Sequence, residues 1–417
     1  MSSNPDVAPT DDIEAPSSGH QFRQLLTTKG FLALVISNTL GFSGEALRLA
    51  AQAWWILDEG GSNTAVGLSA GLRVIPVILI SLYAGVMIDR FGGKRVLLYE
   101  RWILVLLALA TAFLLFWDGV EIWHIVVLST VAGTTIAIGM PATNTLVAEI
   151  VPKDLRPQAN ILNQFGPSAG RTIGPLLAGI LIAVWNAATA FVGLAVVYVI
   201  SSLITMRIPA RGTVNNSAAS AIQQIREGIR YIRRNSVVMW ILILIGFSTI
   251  FWALIGPLLP AMAIQVLNTS EIGFGWMYGA MAIGNAVASI GLARLGKPKR
   301  AAPSLLLAAT MYGAGLVLLG FTHTYWLSLL YLFLMGLRYP LWIAPIMTML
   351  QNYTAPEHLG RVMAVHAIAI QSVSIGWLLG GWLLDVIGIP ATAIVGVVGG
   401  WTVLLIVMIR SKELRAS

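Results

Sequence analysis

The sequence contains no cysteine and few charged residues. Without cysteine, disulfide bonds, thiolate metal sites and cysteine nucleophiles are excluded. Only 11% of the 417 residues are Asp, Glu, Lys or Arg, whereas a soluble globular domain carries about 25%. The sequence also lacks a Walker loop, a His-Glu-x-x-His pair and a nucleophile elbow, which argues against an ATP-driven pump or an enzyme. These absences favour a membrane protein that is not an enzyme and needs no metal or other cofactor.

Long apolar runs fill most of the chain, and 57% of its residues are hydrophobic. A run of about 20 apolar residues crosses a hydrocarbon core about 30 Å thick as a helix. The runs lie at 30–57, 64–88, 96–117, 122–150, 158–184, 187–207, 237–264, 272–295, 303–321, 325–351, 361–385 and 390–410. The sequence therefore predicts an all-α membrane protein with twelve transmembrane helices.

Positive charge is distributed unevenly over the connections between these runs. If the N-terminus lies inside, none of the six outer loops contains Lys or Arg. The inner connections carry Arg90, Lys94, Arg95, Lys153, Arg156, Arg211, Arg226, Arg230, Arg233, Arg234, Arg294, Lys297, Lys299, Arg300 and Arg361. The positive-inside rule then predicts a multi-pass protein of the inner (plasma) membrane with both termini in the cytoplasm. It also explains the net charge of +8 without a nucleic-acid partner.

These boundaries divide the chain into five parts. The first twenty residues are acidic and rich in Ser and Pro, so they do not form a signal peptide. The stretch IQQIREGIRYIRRN between the halves is basic and amphipathic, and we expect it to lie along the inner membrane surface. The predicted parts are a cytoplasmic tail (1–29), a six-helix bundle (30–207), a cytoplasmic linker (208–236), a second six-helix bundle (237–410) and a cytoplasmic tail (411–417).

The two predicted bundles are related by an internal repeat. A shift of 204 residues aligns Arg90 with Arg294, Gly92 with Gly296, Pro141 with Pro345, Pro152 with Pro356, Leu155 with Leu359 and Ser168 with Ser372. Six spans repeated in parallel predict two halves related by an axis along the membrane normal, with a substrate path between them near the midplane. That architecture is typical of transporters.

A glycine-rich basic segment connects the second and third spans. It reads Gly85-Val-Met-Ile-Asp89-Arg90-Phe-Gly92-Gly93-Lys94-Arg95. It resembles the G-x-x-x-D-R-x-G-x-K-R signature of the major facilitator superfamily. The resemblance implies that the segment takes part in gating, with Asp89, Arg90 and Arg95 holding the outward-facing state. The copy in the second half keeps Arg294 and Gly296 but has Ala293 in place of the acid.

The fifth span contains a second glycine pattern. It reads Gly166-Pro167-Ser-Ala-Gly170-Arg171-Thr-Ile-Gly174-Pro175-Leu-Leu-Ala178-Gly179. This segment resembles the G-x-x-x-G-P-x-x-G-G motif of exporters in the same superfamily, although Ala178 replaces one glycine. Glycines four residues apart allow close helix contact, and proline bends a helix. The resemblance implies a gating role for Gly170, Gly174, Pro175 and Gly179, and small-residue packing is the alternative.

Most of the chain resembles the branch of this superfamily that contains the enterobactin exporter and macrolide efflux proteins. The resemblance rests on Leu68–Arg73, the signature above and Met349–Ala364. It implies export of a siderophore-like or drug-like small molecule, commonly by proton antiport and alternating access, from a monomer in the lipid bilayer. Proton-coupled uptake of an anionic metabolite is the alternative function.

Six ionisable residues at membrane depth in the predicted spans require an explanation. Each costs roughly 2.5–3.5 kcal/mol on insertion scales unless it has a partner or a watery cavity. They are Glu45, Arg48, Arg73, Arg171, Arg338 and His366. Glu45 is the only acid, and it is predicted to carry the coupled proton or, alternatively, to be a permanent partner of Arg48 or Arg73. His366 is a second candidate proton carrier, because unperturbed histidine titrates at about pH 6.5, and a packing or hydrogen-bonding histidine near the cytoplasmic end is the alternative.

The four arginines outnumber the acid in the predicted core of the membrane. A guanidinium group binds carboxylate, phosphate or catecholate oxygens through its planar fork. The sequence therefore predicts substrate binding by Arg48, Arg73, Arg171 and Arg338, and a cargo that is anionic or rich in oxygen. The alternative for Arg171 and Arg338 is that they cap carbonyl groups or pair across the halves.

Overall fold

The computed structural model describes residues 24–117, 119–163, 165–209, 221–295, 300–411 and 414–415. Within these ranges the regular structure is helical and contains no strand. The expectation of an all-α fold is therefore confirmed. Most of both predicted tails, the polar part of the linker at 210–220 and the second-half signature at 296–299 lie outside the described residues.

The N-terminal helices precede the linker and carry the labels α1 to α9. They are α1 (Phe31–Asp58), α2 (Asn63–Gly71), α3 (Val74–Phe91), α4 (Gly93–Leu115), α5 (Ile122–Thr134), α6 (Ile136–Ile150), α7 (Arg156–Asn163), α8 (Phe165–Val184) and α9 (Ala187–Met206). A short 3₁₀ turn, Lys153–Leu155, precedes α7.

The linker helix α10 (Ala221–Arg234) leads into the C-terminal helices. These are α11 (Ser236–Trp252), α12 (Ile255–Ala261), α13 (Glu271–Leu295), α14 (Ala301–Phe321), α15 (Tyr325–Asn352), α16 (Pro356–Ile370) and α17 (Val373–Arg410). A π-helical turn, Met262–Val266, continues α12. Gly388 interrupts α17 with φ +78°, at the predicted connection between the last two spans.

Helices overlap every apolar run of the sequence. Eight stretches of the described chain are long and apolar enough to cross a membrane. The last of these, 357–410, contains both of the final predicted spans. Apolar side chains such as Phe113 and Val398 are more than half exposed, as expected of a surface that contacts lipid.

Several predicted spans are broken into two helices near their middle. Arg73 lies between α2 and α3, and Thr135 lies between α5 and α6. Pro76, in the first turn of α3, has no N–H to donate to the carbonyl four residues earlier, so the helix is interrupted before it. Broken helices are tolerated inside a membrane where the freed backbone groups are buried in protein or face a cavity. These breaks therefore mark the region in which a polar site can exist.

The buried core is shared between the N-terminal and C-terminal helices. Its largest apolar cluster includes Leu47 and Phe191 on one side and Leu244 and Leu316 on the other. Two smaller clusters lie among the N-terminal helices, one toward the predicted inner end and one toward the predicted outer end. The core thus joins the two groups of helices into one molecule.

The two groups of helices meet most closely toward the predicted outer end. α2 packs on α17, where Gly67 faces the backbone of Trp377 and Gly381. α8 packs on α13, where Gly179 faces the carbonyl of Glu271. Any side chain larger than hydrogen at Gly67 or Gly179 would collide with backbone of the opposite helix, so glycine permits this close approach.

A carboxylate from α17 reinforces the same contact. Asp385 Oδ1 accepts hydrogen bonds from the backbone N and Nδ2 of Asn63, at 3.1 and 2.8 Å. Its Oδ2 accepts from the backbone N and Oγ1 of Thr64, at 2.8 and 2.6 Å. Asp385 therefore caps the N-terminus of α2, where unpaired N–H groups and the helix dipole favour negative charge.

Candidate functional site

A buried ion cluster occupies the centre of the N-terminal helices. Glu45 Oε1 lies 2.8 Å from Arg48 Nη2 and 2.6 Å from Arg73 Nη1. Arg48 Nε also donates to Glu45 Oε2 at 3.0 Å. Glu45 and Arg48 share one face of α1 because they are three residues apart. Arg73 reaches them from the break between α2 and α3.

Arg48 is committed to protein partners. Besides Glu45, its Nη1 donates to Gln52 Oε1 at 2.9 Å and to Ser129 Oγ. Gln52 in turn donates to Ser69 Oγ at 3.1 Å, and Ser129 donates to the Ser69 carbonyl at 2.6 Å. This network ties α1, α2 and α5 together. Its donors and acceptors offset the cost of burying the guanidinium group.

Arg73 connects the ion cluster to the C-terminal helices. Its guanidinium carbon lies 4.7 Å from the ring centroid of Trp377 in α17, within the range of a cation–π interaction. The stem of the side chain lies against Gly133 of α5, where a larger residue would collide with it. Arg73 therefore contacts both groups of helices, through Glu45 of α1 and Trp377 of α17.

Arg171 lies beside this cluster without joining it. It is exposed on α8 and forms no ion pair with the described residues. Its guanidinium group is close enough to Arg73 for the two charges to repel each other. Arg171 is consequently the cation near Glu45 that remains available to a ligand.

A second buried ion pair, which was not predicted from the sequence, lies in α4. Glu100 and Arg101 in α4 are 5% and 6% exposed, and Arg101 Nη1 lies 3.0 Å from Glu100 Oε2. The two residues lie in the first turns of the third predicted span, 96–117, and were not among the six ionisable residues singled out from the sequence. Periodicity carried the signal, because the buried positions of α4 include Val96, Leu97 and Leu104, which share a helix face with the pair.

An open pocket connects the two carboxylates. It is lined by α1, α4, α6, α7, α8 and α9, all of them N-terminal helices. Glu45, Glu100 and Arg101 face it, together with Asn144 and Tyr198. An open pocket with these polar groups admits water.

Arg338 stands apart from the ion cluster, among the C-terminal helices. Its guanidinium carbon lies 4.3 Å from the ring centroids of both Trp252 and Tyr312. In the described part of the chain no acid pairs with it, and its buried Nη1 has no hydrogen-bond partner. Aromatic faces thus hold this arginine in place of a carboxylate.

His366 is also separate from the Glu45 cluster. It lies in α16 and is 7% exposed. Its Nε2 has no hydrogen-bond partner within the described ranges. The structure therefore brings together Glu45, Arg48 and Arg73, with Arg171 nearby, and leaves His366 and Arg338 elsewhere.

The gating signature lies at the predicted inner end. Gly92 has φ +79° between α3 and α4, a conformation that favours glycine, and Lys94 donates to the carbonyls of Met206 and Ile208. Asp89 forms no ion pair or side-chain hydrogen bond with the described residues, and a side chain at Gly85 would meet nothing. The roles of Gly85, Asp89, Arg90, Gly92, Lys94 and Arg95 in gating stay predictions.

The glycine pattern of the fifth span forms close contacts on two sides. Gly170 and Gly174 face the backbone of α1 around Ser43. Gly179 faces α13, as does the Pro175 carbonyl, which lies opposite Gly275. α8 is therefore packed between the helix that carries Glu45 and a helix of the C-terminal group, and its gating role stays a prediction.

An all-helical membrane protein with a buried ion-paired cluster among its N-terminal helices, one arginine of which contacts Trp377 of the C-terminal helices, has polar groups where a membrane transporter needs them. Residues 33–377 match the family model of the Major Facilitator Superfamily. The chain belongs to the Major Facilitator Superfamily. It is consequently a multi-pass membrane transporter and not an enzyme, as the sequence predicted.

The chain is similar to three bacterial transport proteins. The multidrug efflux pump Tap of Mycolicibacterium fortuitum is 25% identical over 384 residues, covering 88% of this chain and 92% of that protein. Macrolide efflux protein A of Streptococcus pyogenes is 22% identical over 362 residues, covering 84% and 89%. The staphyloferrin A transporter of Staphylococcus aureus is 24% identical over 367 residues, covering 85% and 90%. The predicted resemblance to the macrolide-efflux branch is confirmed.

Solved structures share the fold. A bacterial homologue of the human lysosomal transporter Spinster aligns with a TM-score of 0.70 at 13% identity, covering 92% of this chain and 96% of that one. The nucleoside transporter NupG aligns with a TM-score of 0.70 at 11% identity, covering 91% and 98%. At these identities the likeness concerns the fold alone.

Proposed function

We propose that this protein is a secondary active transporter that exports an anionic or oxygen-rich small molecule from the cytoplasm by proton antiport. Two of the similar proteins are named as efflux proteins, and the name of a third identifies a staphyloferrin A transporter. The observation that carries the choice of cargo is the excess of arginine over acid around Glu45.

The cargo site is built on Arg171 and Arg73. Arg48 already donates to three protein groups, whereas Arg171 is exposed and has no acid partner among the described residues. A planar guanidinium fork binds a carboxylate or a pair of catecholate oxygens through two parallel hydrogen bonds. An oxygen-rich chelator of the siderophore type fits this chemistry better than a cationic drug does.

Transport by alternating access requires that the helices part at one end while they close at the other. The proposal includes twelve spans in two six-helix halves, a monomer in the plasma membrane and cytoplasmic termini. The tight contacts of α2 with α17 and of α8 with α13 lie toward the predicted outer end, and Asp89 at the predicted inner end is unpaired within the described ranges. Both features support an inward-facing state.

Proton coupling needs a carboxyl group or histidine that changes its protonation during the cycle. Glu45 was predicted from the sequence either as the carrier or as a permanent ion-pair partner. Its three hydrogen bonds from two arginines favour the second role. His366 is a further proton carrier to test, because its buried Nε2 has no partner in the described chain.

The test is transport by the purified full chain in vesicles that contain a pH-sensitive dye. The panel comprises a catecholate siderophore, a hydroxamate siderophore, a macrolide and a cationic dye, each added under an imposed proton gradient. We expect proton movement with a siderophore. Arg171→Lys keeps the charge but loses the fork, so it should raise the concentration needed for half-maximal movement about tenfold or more. A response to the cationic dye alone would overturn the cargo assignment.

The sign of the coupling separates export by antiport from the alternative, proton-coupled uptake of an anionic metabolite. The imposed gradients set the direction of net flux whichever way the protein is oriented in the vesicle. Proton antiport predicts that cargo accumulates in vesicles with an acidic interior. Accumulation only when the exterior is acidic would establish proton-coupled uptake.

A further inference from the structure

We propose that Glu100, a residue outside the predicted coupling set, is the carboxyl group of this site that binds and releases a proton. The inference deepens the proposed function, and it rests on that function only for the link between the proton and the cargo. It stands on the burial of Glu100, its incomplete hydrogen bonding and the pocket that it faces.

Glu100 is buried, and glycines on neighbouring helices leave the space that it and Arg101 occupy. It is 5% exposed, and a side chain at Gly139 of α6 would come within 3.1 Å of its Oε1. Across the pair, a side chain at Gly41 of α1 would collide with the Arg101 guanidinium group. Two glycines on two helices thus leave space for an acid and a base, where an apolar residue would fill the core at a lower cost.

The hydrogen bonding of Glu100 is incomplete. An ionised carboxylate has room for about four hydrogen bonds, but Glu100 accepts one from Arg101 Nη1 at 3.2 Å. Its Oε2 has no hydrogen-bond partner among the described residues, and neither has Arg101 Nε. The Thr135 hydroxyl lies within reach of the carboxylate but shares its single proton with the Ala132 carbonyl, to which it donates at 2.8 Å.

Protonation would break more contacts with arginine at Glu45 than at Glu100. A proton on Glu45 would disrupt contacts with two arginines, including hydrogen bonds of 2.6 and 2.8 Å. A proton on Glu100 would disrupt one loosely oriented pair with one arginine. Because charge-assisted hydrogen bonds favour the ionised form of a carboxyl group, the proton resides more readily on Glu100.

The surroundings of Glu100 provide both a proton path and electrostatic control. Its pocket contains the exposed Asn144, so water reaches the site. The charged or titratable groups that act on it are Arg101 of α4, Glu45 of α1 and Tyr198 of α9, and Arg48 of α1 lies beyond them in its pair with Glu45. The Tyr198 hydroxyl has no hydrogen-bond partner in the described chain, so it can relay a proton between pocket water and the carboxylates.

The chemical step is a simple proton transfer. A pocket water, present as hydronium or acting as a relay, gives a proton to Glu100 Oε2. One O–H bond forms on the carboxyl group and one breaks on the donor. The ion pair becomes a neutral acid beside the Arg101 guanidinium group. Release reverses the step after the helices rearrange and expose the pocket to the other side.

The test measures protonation directly and requires no cargo. Infrared difference spectra of the reconstituted full chain between acidic and neutral pH record carboxyl groups that gain a proton. We expect Glu100→Gln to remove one band of a buried, protonated carboxyl group and Glu45→Gln to leave that band in place. A band that survives in Glu100→Gln, or that disappears only in Glu45→Gln, would overturn the assignment.

Glu100→Asp serves as the second variant, because it keeps a carboxyl group in a position with more room. It should retain the band at a shifted frequency, which also covers the case in which Glu100→Gln does not fold. Failure of the wild-type protein to couple cargo to protons would remove the proposed function, yet the infrared result would still decide whether Glu100 binds a proton.

Discussion

The N-terminal and C-terminal helices hold their buried arginines in different ways. In the N-terminal helices, Arg48 and Arg73 share Glu45, and Arg101 pairs with Glu100. In the C-terminal helices, Arg338 lies against the faces of Trp252 and Tyr312, without an acid in the described ranges. A carboxylate uses the donors of an arginine, whereas an aromatic face leaves them free.

This difference assigns different properties to the two groups of helices. Removing one member of a buried ion pair leaves an uncompensated charge. Substitutions at the N-terminal site should therefore lower the stability of the protein strongly. Removing Arg338 leaves only neutral rings. The N-terminal helices therefore contain groups that can exchange a proton, and the C-terminal helices contain an arginine that can respond to an added negative charge.

The largest effect is expected from Glu45→Gln. The change leaves two buried arginines without a counter-charge, and breaking a buried ion pair costs about 3–5 kcal/mol. The thermal unfolding midpoint of the detergent-purified protein should therefore fall strongly. Glu100→Gln, which leaves a single arginine, is the matched variant and should lower the midpoint less. Equal midpoints for the two variants would contradict the central position of Glu45.

The second prediction contrasts Arg48→Met with Arg338→Met. Arg48→Met abandons Glu45, Gln52 and Ser129 and should reduce stability by about 3 kcal/mol. Arg338→Met loses a cation–π interaction worth about 2 kcal/mol but also removes the cost of a buried charge without an acid partner. Its stability should change by at most about 1 kcal/mol, as measured by chemical denaturation. A larger loss in Arg338→Met than in Arg48→Met would reverse the comparison.

The third prediction concerns the contact that joins the two groups at the predicted outer end. Asp385→Asn removes the negative charge that caps α2. It should destabilise the form in which α2 and α17 are in contact by about 1–2 kcal/mol. Because the chain lacks cysteine, spin labels on Glu59→Cys and Val386→Cys report the opening without background. We expect a larger population at long label distances.

Asp58→Asn is the control for this change. It removes the same charge from an exposed residue at the same end of the molecule, and no hydrogen bond to the Asp58 side chain was found within the described residues. The label distances should remain as in the unmodified chain. If both variants open, the change in net charge causes the opening and the Asp385 cap does not.

The smallest effect is expected from the ion pair between the linker helix and α16. Arg361 Nη2 lies 3.0 Å from Glu227 Oε2, and both side chains are about one third exposed. Solvent screens such a pair, so Glu227→Gln should reduce stability by less than about 1 kcal/mol. The difference should shrink at high salt, whereas the effect of Glu45→Gln should not. Glu357→Gln, on the exposed first turn of α16, is the matched control.

Local spacing was sufficient to predict part of the site. Glu45 and Arg48 lie three residues apart on one helix, so their pairing follows from helix geometry. Arg73 was named as an alternative partner of Glu45, and the structure contains both pairs. The need to compensate a charge inside the membrane therefore identified the two arginines that pair with Glu45.

The predictions for Arg171, Arg338 and Glu100 had no such support. In an all-apolar helix the periodicity does not reveal which face is buried, so the partners of Arg338 were not predictable. Glu100 was overlooked because the third span was expected to begin only a few residues before it. It was not singled out among the charges at membrane depth, and packing beside Gly139 of α6 made it a buried residue.

The sequence by itself determined the class of protein, the helical fold and the pairing of Glu45 with Arg48, because apolar runs, the positive-inside rule and helix spacing are local properties of the chain. Only the tertiary structure decided that Arg73 joins Glu45 to Trp377, that Asp385 caps α2 and that Arg338 rests on aromatic rings. Each of these contacts joins residues far apart in the sequence. Their geometry depends on how whole helices pack, which no local pattern encodes.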